Sequence, residues 1–178
     1  KKKFGKDLSK VSKPIFGAPP LLNKKIKQND FDAILTYWPY QAKLMIDSNF
    51  KKIINITDVI QELDIPKGIP VIGWVFREAW AKNQNSNLKK FLKASKEAKK
   101  LMLESDEIWI KVRPNMNTTD DNLFLNLRDA YREGIPSSEF TEGQIEGSKK
   151  LYSILSEIGG KELVGKAKNL TTGTFWEQ

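Results

Sequence analysis

The sequence predicts an α/β protein whose carboxyl-terminal part is rich in helix, and three observations carry that prediction. Residues 31–36 (Phe-Asp-Ala-Ile-Leu-Thr) form an apolar run of strand length. Such runs alternate with helical stretches through the first 63 residues, the rhythm of strand-helix-strand units. A second run, 69–76 (Ile-Pro-Val-Ile-Gly-Trp-Val-Phe), repeats the strand signature before the chain turns to helical periodicity.

The central stretch is Asp30 to Tyr40. Pro39 cannot donate to a sheet ladder, so the strand should stop by Trp38, and Pro39 then fits the first turn of a helix through Tyr40 to Asp47. Tyr37, Trp38 and Tyr40 fall at the strand's carboxyl end, where open α/β sheets bind their ligands. Two readings of the rings stand side by side. They pack a core, or one or two of them stack on a small ligand that polar groups orient. The same choice applies to Trp74 and Trp80, with packing favoured. Asp32, early in the strand, suits a structural hydrogen bond better than a ligand contact.

Before this stretch, Lys1 to Lys10 is basic and expected to fray, and Val11 to Phe16 suits a short strand. Gly17 to Pro20 is a turn, and Pro19 or Pro20 can open a helix with Leu21, Leu22 and Ile26 inward and Asn23, Lys24, Lys25 and Lys27 outward. That helix should end near Gln28-Asn29. After it, Lys52 to Ile56 suggests a third strand, and Thr57 or Asp58 can cap a helix from Val59 to Leu63. Two prolines and a glycine between Asp64 and Pro70 mark a boundary, giving units 1–63 and 71–178 with 64–70 as linker.

The remainder reads as helices. Glu78 to Lys82 makes one turn. Asn87 to Glu104 is amphipathic, with Leu88, Phe91, Leu92, Ala98, Leu101 and Met102 on one face and Lys89, Lys90, Lys93, Lys96 and Lys100 on a solvated one. Another helix starts at Ser105 and breaks before Pro114; a further one, capped by Thr118 or Thr119, runs to Glu133 with Leu123, Phe124, Leu127 and Tyr131 inward and stops at Gly134. Thr141 to Gln144 is a capping box with Phe140 and Ile145 as its staple, and the helix should end at a left-handed Gly159 near Ile158.

Composition narrows the chemistry. The 178 residues include no cysteine and no histidine, which removes a thiol nucleophile, an imidazole base and nearly every zinc site. Walker, Gly-x-Gly-x-x-Gly and Gly-x-Ser-x-Gly patterns are missing, and the carboxylate pairs Asp106-Glu107 and Asp120-Asp121 sit at helix starts, where the dipole favours them. The expectation is a binding protein with no catalytic step, metal or cofactor. A formal charge of +8 raises a nucleic-acid partner, but the lysines are spread over several helices without interleaved aromatics, so a solvated basic surface is expected instead. No apolar run reaches the roughly 20 residues of a membrane span. The chain opens on Lys, as expected of a processed product or a fragment that has lost a secretion signal.

Ala18-Pro-Pro-Leu-Leu22, a basic helix, and Asp30 to Tyr40 together resemble the periplasmic substrate-binding proteins of nitrate/sulfonate/taurine-type ABC importers, whose relatives include thiamine-pyrimidine binders. Asn29, Asp32, Ala33, Trp38, Pro39 and Tyr40 carry the resemblance, and the spacing of Phe91, Ala94 and Ala98 extends it over roughly residues 14–160. It implies the carboxyl-terminal half of a two-lobed periplasmic-binding-protein type II fold that closes on a solute in an interlobe cleft. It further implies a periplasmic monomer that hands its solute to an ABC permease. Trp38, Tyr40, Thr36, Tyr37, Pro19 and Trp74 are the ligand-binding candidates, with Trp38 and Tyr40 lining the cleft and Tyr37 packing. A pyrimidine-precursor biosynthetic enzyme on the same fold and a basic nucleic-acid-binding module are the alternatives.

Overall fold

The computed structural model describes residue 5 and residues 7–136 and 140–176; Lys1 to Phe4 and Lys6, in the stretch expected to fray, lie outside them. Helices follow one another as α1 (Pro19–Lys27), α2 (Trp38–Met45), α3 (Ile56–Gln61), α4 (Glu78–Asn83), α5 (Asn85–Glu104), α6 (Asp106–Val112), α7 (Asp121–Glu133) and α8 (Glu142–Val164). Single 3-10 turns occupy Leu8–Lys10 and Arg113–Met116.

Among the described residues there is no strand, which corrects the α/β expectation and with it the two-lobed periplasmic-binding-protein fold, since that fold needs a sheet. The runs read as strands, 11–16, 31–36, 52–56 and 69–76, are mostly irregular segments between helices. The physical reason lies in what a strand requires. A helix closes its hydrogen bonds within its own segment, whereas a strand exists only beside another strand. Pro14 and Pro70 each remove a ladder donor from their run, and Gly73 weakens the last one further. None of the four runs finds a pairing partner among the described residues. Their side chains stay largely in solvent, Ile72 and Val75 reaching 93% and 97% exposure.

Contacts divide the chain into two units, residues 1–52 with 78–135 and residues 53–77 with 136–178. The boundaries expected at 63 and 71 both fall inside the second unit.

In the first unit α2 packs along α7, α1 lies against α2, and α5 touches α4 and α6. The buried apolar side chains are Ile26 of α1, Ala42 and Leu44 of α2, Ala81 of α4, Leu88 of α5, Trp109 of α6, and Phe124 and Leu127 of α7. The apolar stripe of α5 is buried at Leu88 but open at Phe91 and Leu101, while its five expected surface lysines are all exposed. Asp120 caps α7, its carboxylate accepting from the Leu123 N–H at 2.7 Å, in place of Thr118 or Thr119. Ser105 caps α6.

In the second unit the 64–70 loop lies on α8. Gln144 Nε2 donates to the Gly68 carbonyl at 3.0 Å, and Lys150 Nζ to that of Asp64 at 3.1 Å. Gly147 permits this approach: a Cβ there would meet Pro66 Cδ at 2.8 Å and Ile69 Cγ2 at 3.0 Å. The Thr141–Gln144 capping box forms as the sequence predicts. Helix α8 does not end at Gly159. Gly160, at φ 57°, kinks it, and one more turn carries the chain to Val164. Helix α3 starts at Ile56, with Asn55 in the cap position and no side-chain cap from Thr57 or Asp58.

Candidate functional site

The expected aromatic mouth survives the loss of the strand as the amino end of a helix. Helix α1 opens on Pro19 and Pro20 and closes through a Schellman turn. The Asp30 N–H bonds the Lys25 carbonyl at 3.1 Å, and Asn29 takes the left-handed conformation at φ 60°. This turn sends the chain back along 31–37, and α2 then begins at Trp38 with Pro39 in its first turn. Trp38 is thus the first residue of a helix, not the last of a strand.

Tyr37 holds the cap position with extended backbone and no side-chain cap, and its ring is 68% exposed, so it does not pack as expected. Trp38 is 44% exposed. Its ring meets the Tyr131 ring of α7 at 5.6 Å between centroids, with the planes 78° apart. Tyr131 in turn meets Trp109 of α6 at 5.4 Å and 71°. Three rings therefore run from solvent to the core, where Trp109 is buried and its indole Nε1 donates to the Met102 carbonyl at 2.6 Å. Arg132 locks the inner end. Its Nε donates to the same carbonyl at 2.9 Å, its guanidinium lies over the Trp109 ring at 5.9 Å, and Asp106 accepts its outer nitrogen at 2.8 Å. Edge-to-face pairs of this kind contribute about 0.5–1.5 kcal/mol each beyond their buried area.

Tyr40 is half-buried, with the Lys43 ammonium 5.7 Å from its ring centroid. Its carbonyl accepts Nδ2 of Asn23, a buried residue of α1, at 2.8 Å. Asn23 Oδ1 and Thr36 Oγ1 are both buried without a hydrogen-bond partner among the described residues. Pro19 is half-buried at the start of α1. The structure thus gathers Thr36, Tyr37, Trp38 and Tyr40 at one helix start, with the Pro19 helix against it. Trp74, 60% exposed, belongs to the other unit.

The sequence predicts Tyr131 inward without marking it as the seat of Trp38, and it predicts Asn23 outward, whereas Asn23 is buried. The missed signal for Asn23 is its register: residues 19, 22, 23 and 26 share one face of α1, the face that carries the buried Ile26.

Among the described residues no cluster of three or more His, Cys, Asp or Glu could hold a metal ion, and no helix is long and apolar enough to cross a membrane. Glu78 on α4 has its carboxyl held below the ordinary carboxylate range by a hydrogen bond from Lys82 and then by that ammonium's charge, at the protein surface. No protein-family model matches the chain, and no curated protein matches it.

Proposed function

We propose that the protein is the extracytoplasmic solute-binding component of an ABC import system, taking up a small solute without transforming it and presenting it to a membrane permease. One observation carries the reading: Trp38 forms a T-shaped pair with Tyr131 while 44% of its surface stays open. A partly open ring held by a neighbouring ring suits stacking on a small solute, because its orientation is set before the solute arrives. Tyr37 offers a second exposed ring beside it, and half-buried Tyr40 carries a hydroxyl as a polar group, whereas the Thr36 hydroxyl is buried and takes no part. The resemblance of residues 18–40 to nitrate/sulfonate/taurine-type binding proteins supports a small solute and a periplasmic setting. The reading rests on this ring platform and not on closure of two sheet-bearing lobes.

Calorimetry with taurine, nitrate and an aminopyrimidine of the thiamine type tests it. Saturable binding of one of them is expected, weakened at least about tenfold by Trp38→Ala, as for the loss of an aromatic anchor. The circular dichroism of that variant should stay unchanged. Failure of all three to bind, or undiminished binding by folded Trp38→Ala protein, overturns the reading.

A further inference from the structure

We infer that the carboxyl-terminal end of α8 and the loop after it form a separate binding site for a small phosphate-bearing dianion. Two glycines shape the place. Gly160 kinks α8, and Gly165, at φ 72°, turns the chain back alongside the helix. Tyr152 holds the returning loop, its hydroxyl lying 3.1 Å from the Val164 carbonyl and 3.2 Å from that of Ala167. Between helix and loop lies a concavity of about 480 Å3. That volume is within the range of small-ligand pockets, roughly 300–1,000 Å3.

The lining is chemically one-sided. Its lining residues include the basic Lys161, Lys166 and Lys168 against the single acid Glu157. None of the three lysines is ion-paired among the described residues, so their charge is not neutralised internally. Ser153 and Ser156, one helical turn apart within reach of the same space, add hydroxyl donors. A Cβ built at Gly160 or Gly165 would meet nothing within 4 Å, so neither glycine crowds the concavity, and the Gly165 N–H is already taken by the Lys161 carbonyl at 3.0 Å. A lining with three basic residues, two serines and one acid has a net positive charge and suits an acceptor-only group carrying about two negative charges, which is a phosphate. Helix α5 carries six lysines, twice as many, but none of them lines this concavity.

The site stands independently of the solute platform at Trp38. An amide NMR titration of the whole chain with inorganic phosphate, set against sodium chloride at matched ionic strength, tests it. Saturable shifts confined to residues 153–169 are expected, with a Kd at or below about 1 mM. Lys166→Gln/Lys168→Gln should weaken the affinity at least about tenfold, while Lys89→Gln/Lys90→Gln, which lowers the net charge equally on α5, should leave it within about twofold. Methanesulfonate, of similar shape with one charge, should bind more weakly than phosphate. Shifts that grow without saturation and match those from chloride overturn the assignment, as do equal losses in the two double variants or methanesulfonate binding as tightly as phosphate.

Discussion

Asn23 of α1 donates its side-chain amide to the main-chain carbonyl of Tyr40 on α2 at 2.8 Å, and this bond ties the helix that opens the 18–40 stretch to the helix that ends it. The residues between them, 28–37, have no regular hydrogen-bonded structure of their own apart from the turn at Asn29. The position of α2 against α1 therefore depends on this contact and on the packing of Ile26, Ala42 and Leu44.

Asn23→Ala should lower stability by about 1–2 kcal/mol, the usual range for losing a partly buried hydrogen bond. The loss is moderated because Oδ1 of the same side chain is buried unpaired, and its removal relieves a cost. Urea denaturation should show a lower midpoint at an unchanged slope. No shift in the midpoint would mean that the Tyr40 carbonyl is equally well served by its own helix.

Glu78 and Lys82 stand one turn apart on α4 with Oε1 and Nζ 2.6 Å apart. The acid precedes the base, the favourable order along a helix. The lowered Glu78 pKa means that the folded state prefers the carboxylate. The contribution is therefore present above the unfolded carboxyl's pKa and is lost as pH falls through the lowered folded value. Both side chains are exposed, so the effect on stability is small and screened by salt. Carboxyl NMR titration should place Glu78 lower in the parent protein than in Lys82→Gln; coincident midpoints would mean that the pair is not populated in solution.

What could be read from the sequence divides by whether an element is closed within its own residues. The capping box at Thr141 and Gln144, the apolar positions Phe124 and Leu127, and the proline start of α1 all act within a few residues of themselves, and each is found where the sequence places it. Runs 31–36 and 69–76 carry strand composition, but a strand is completed by a partner that local composition cannot supply. The site was legible in the same measure. The rings at 37, 38 and 40 could be read from the chain, with Pro39 correctly in the first turn of a helix. Tyr131, more than ninety residues on, is brought beneath Trp38 only by the packing of α2 on α7.

The bare apolar side chains of the 69–76 segment give a prediction of their own. Ile72 and Val75 have almost no surface to lose, so changing both to Lys should alter stability by no more than about 0.5 kcal/mol. The same changes should reduce binding of an apolar dye and slow aggregation, because short β-prone apolar windows are where chains associate. If the double variant unfolds instead, these side chains are packed in solution.

Tyr131 is the position where stability and solute capture come apart. Its ring contacts both Trp38 and buried Trp109, while its hydroxyl makes no hydrogen bond among the described residues. Tyr131→Phe keeps both ring contacts and should leave stability within about 0.5 kcal/mol. Tyr131→Ala removes both and leaves a gap beside Trp109, so a loss of about 2–4 kcal/mol is expected. Near-ultraviolet circular dichroism should weaken with it, because Trp38 and Trp109 lose the neighbour that fixes their orientation. The coupling between Trp38 and Tyr131 follows from a double-mutant cycle of Trp38→Ala and Tyr131→Ala, with about 0.5–1.5 kcal/mol expected for the pair. A coupling indistinguishable from zero would show that Trp38 does not rest on Tyr131 in solution. In that case the ring is not preset for a solute, and the platform at the start of α2 loses the feature that distinguishes it from an ordinary exposed tryptophan.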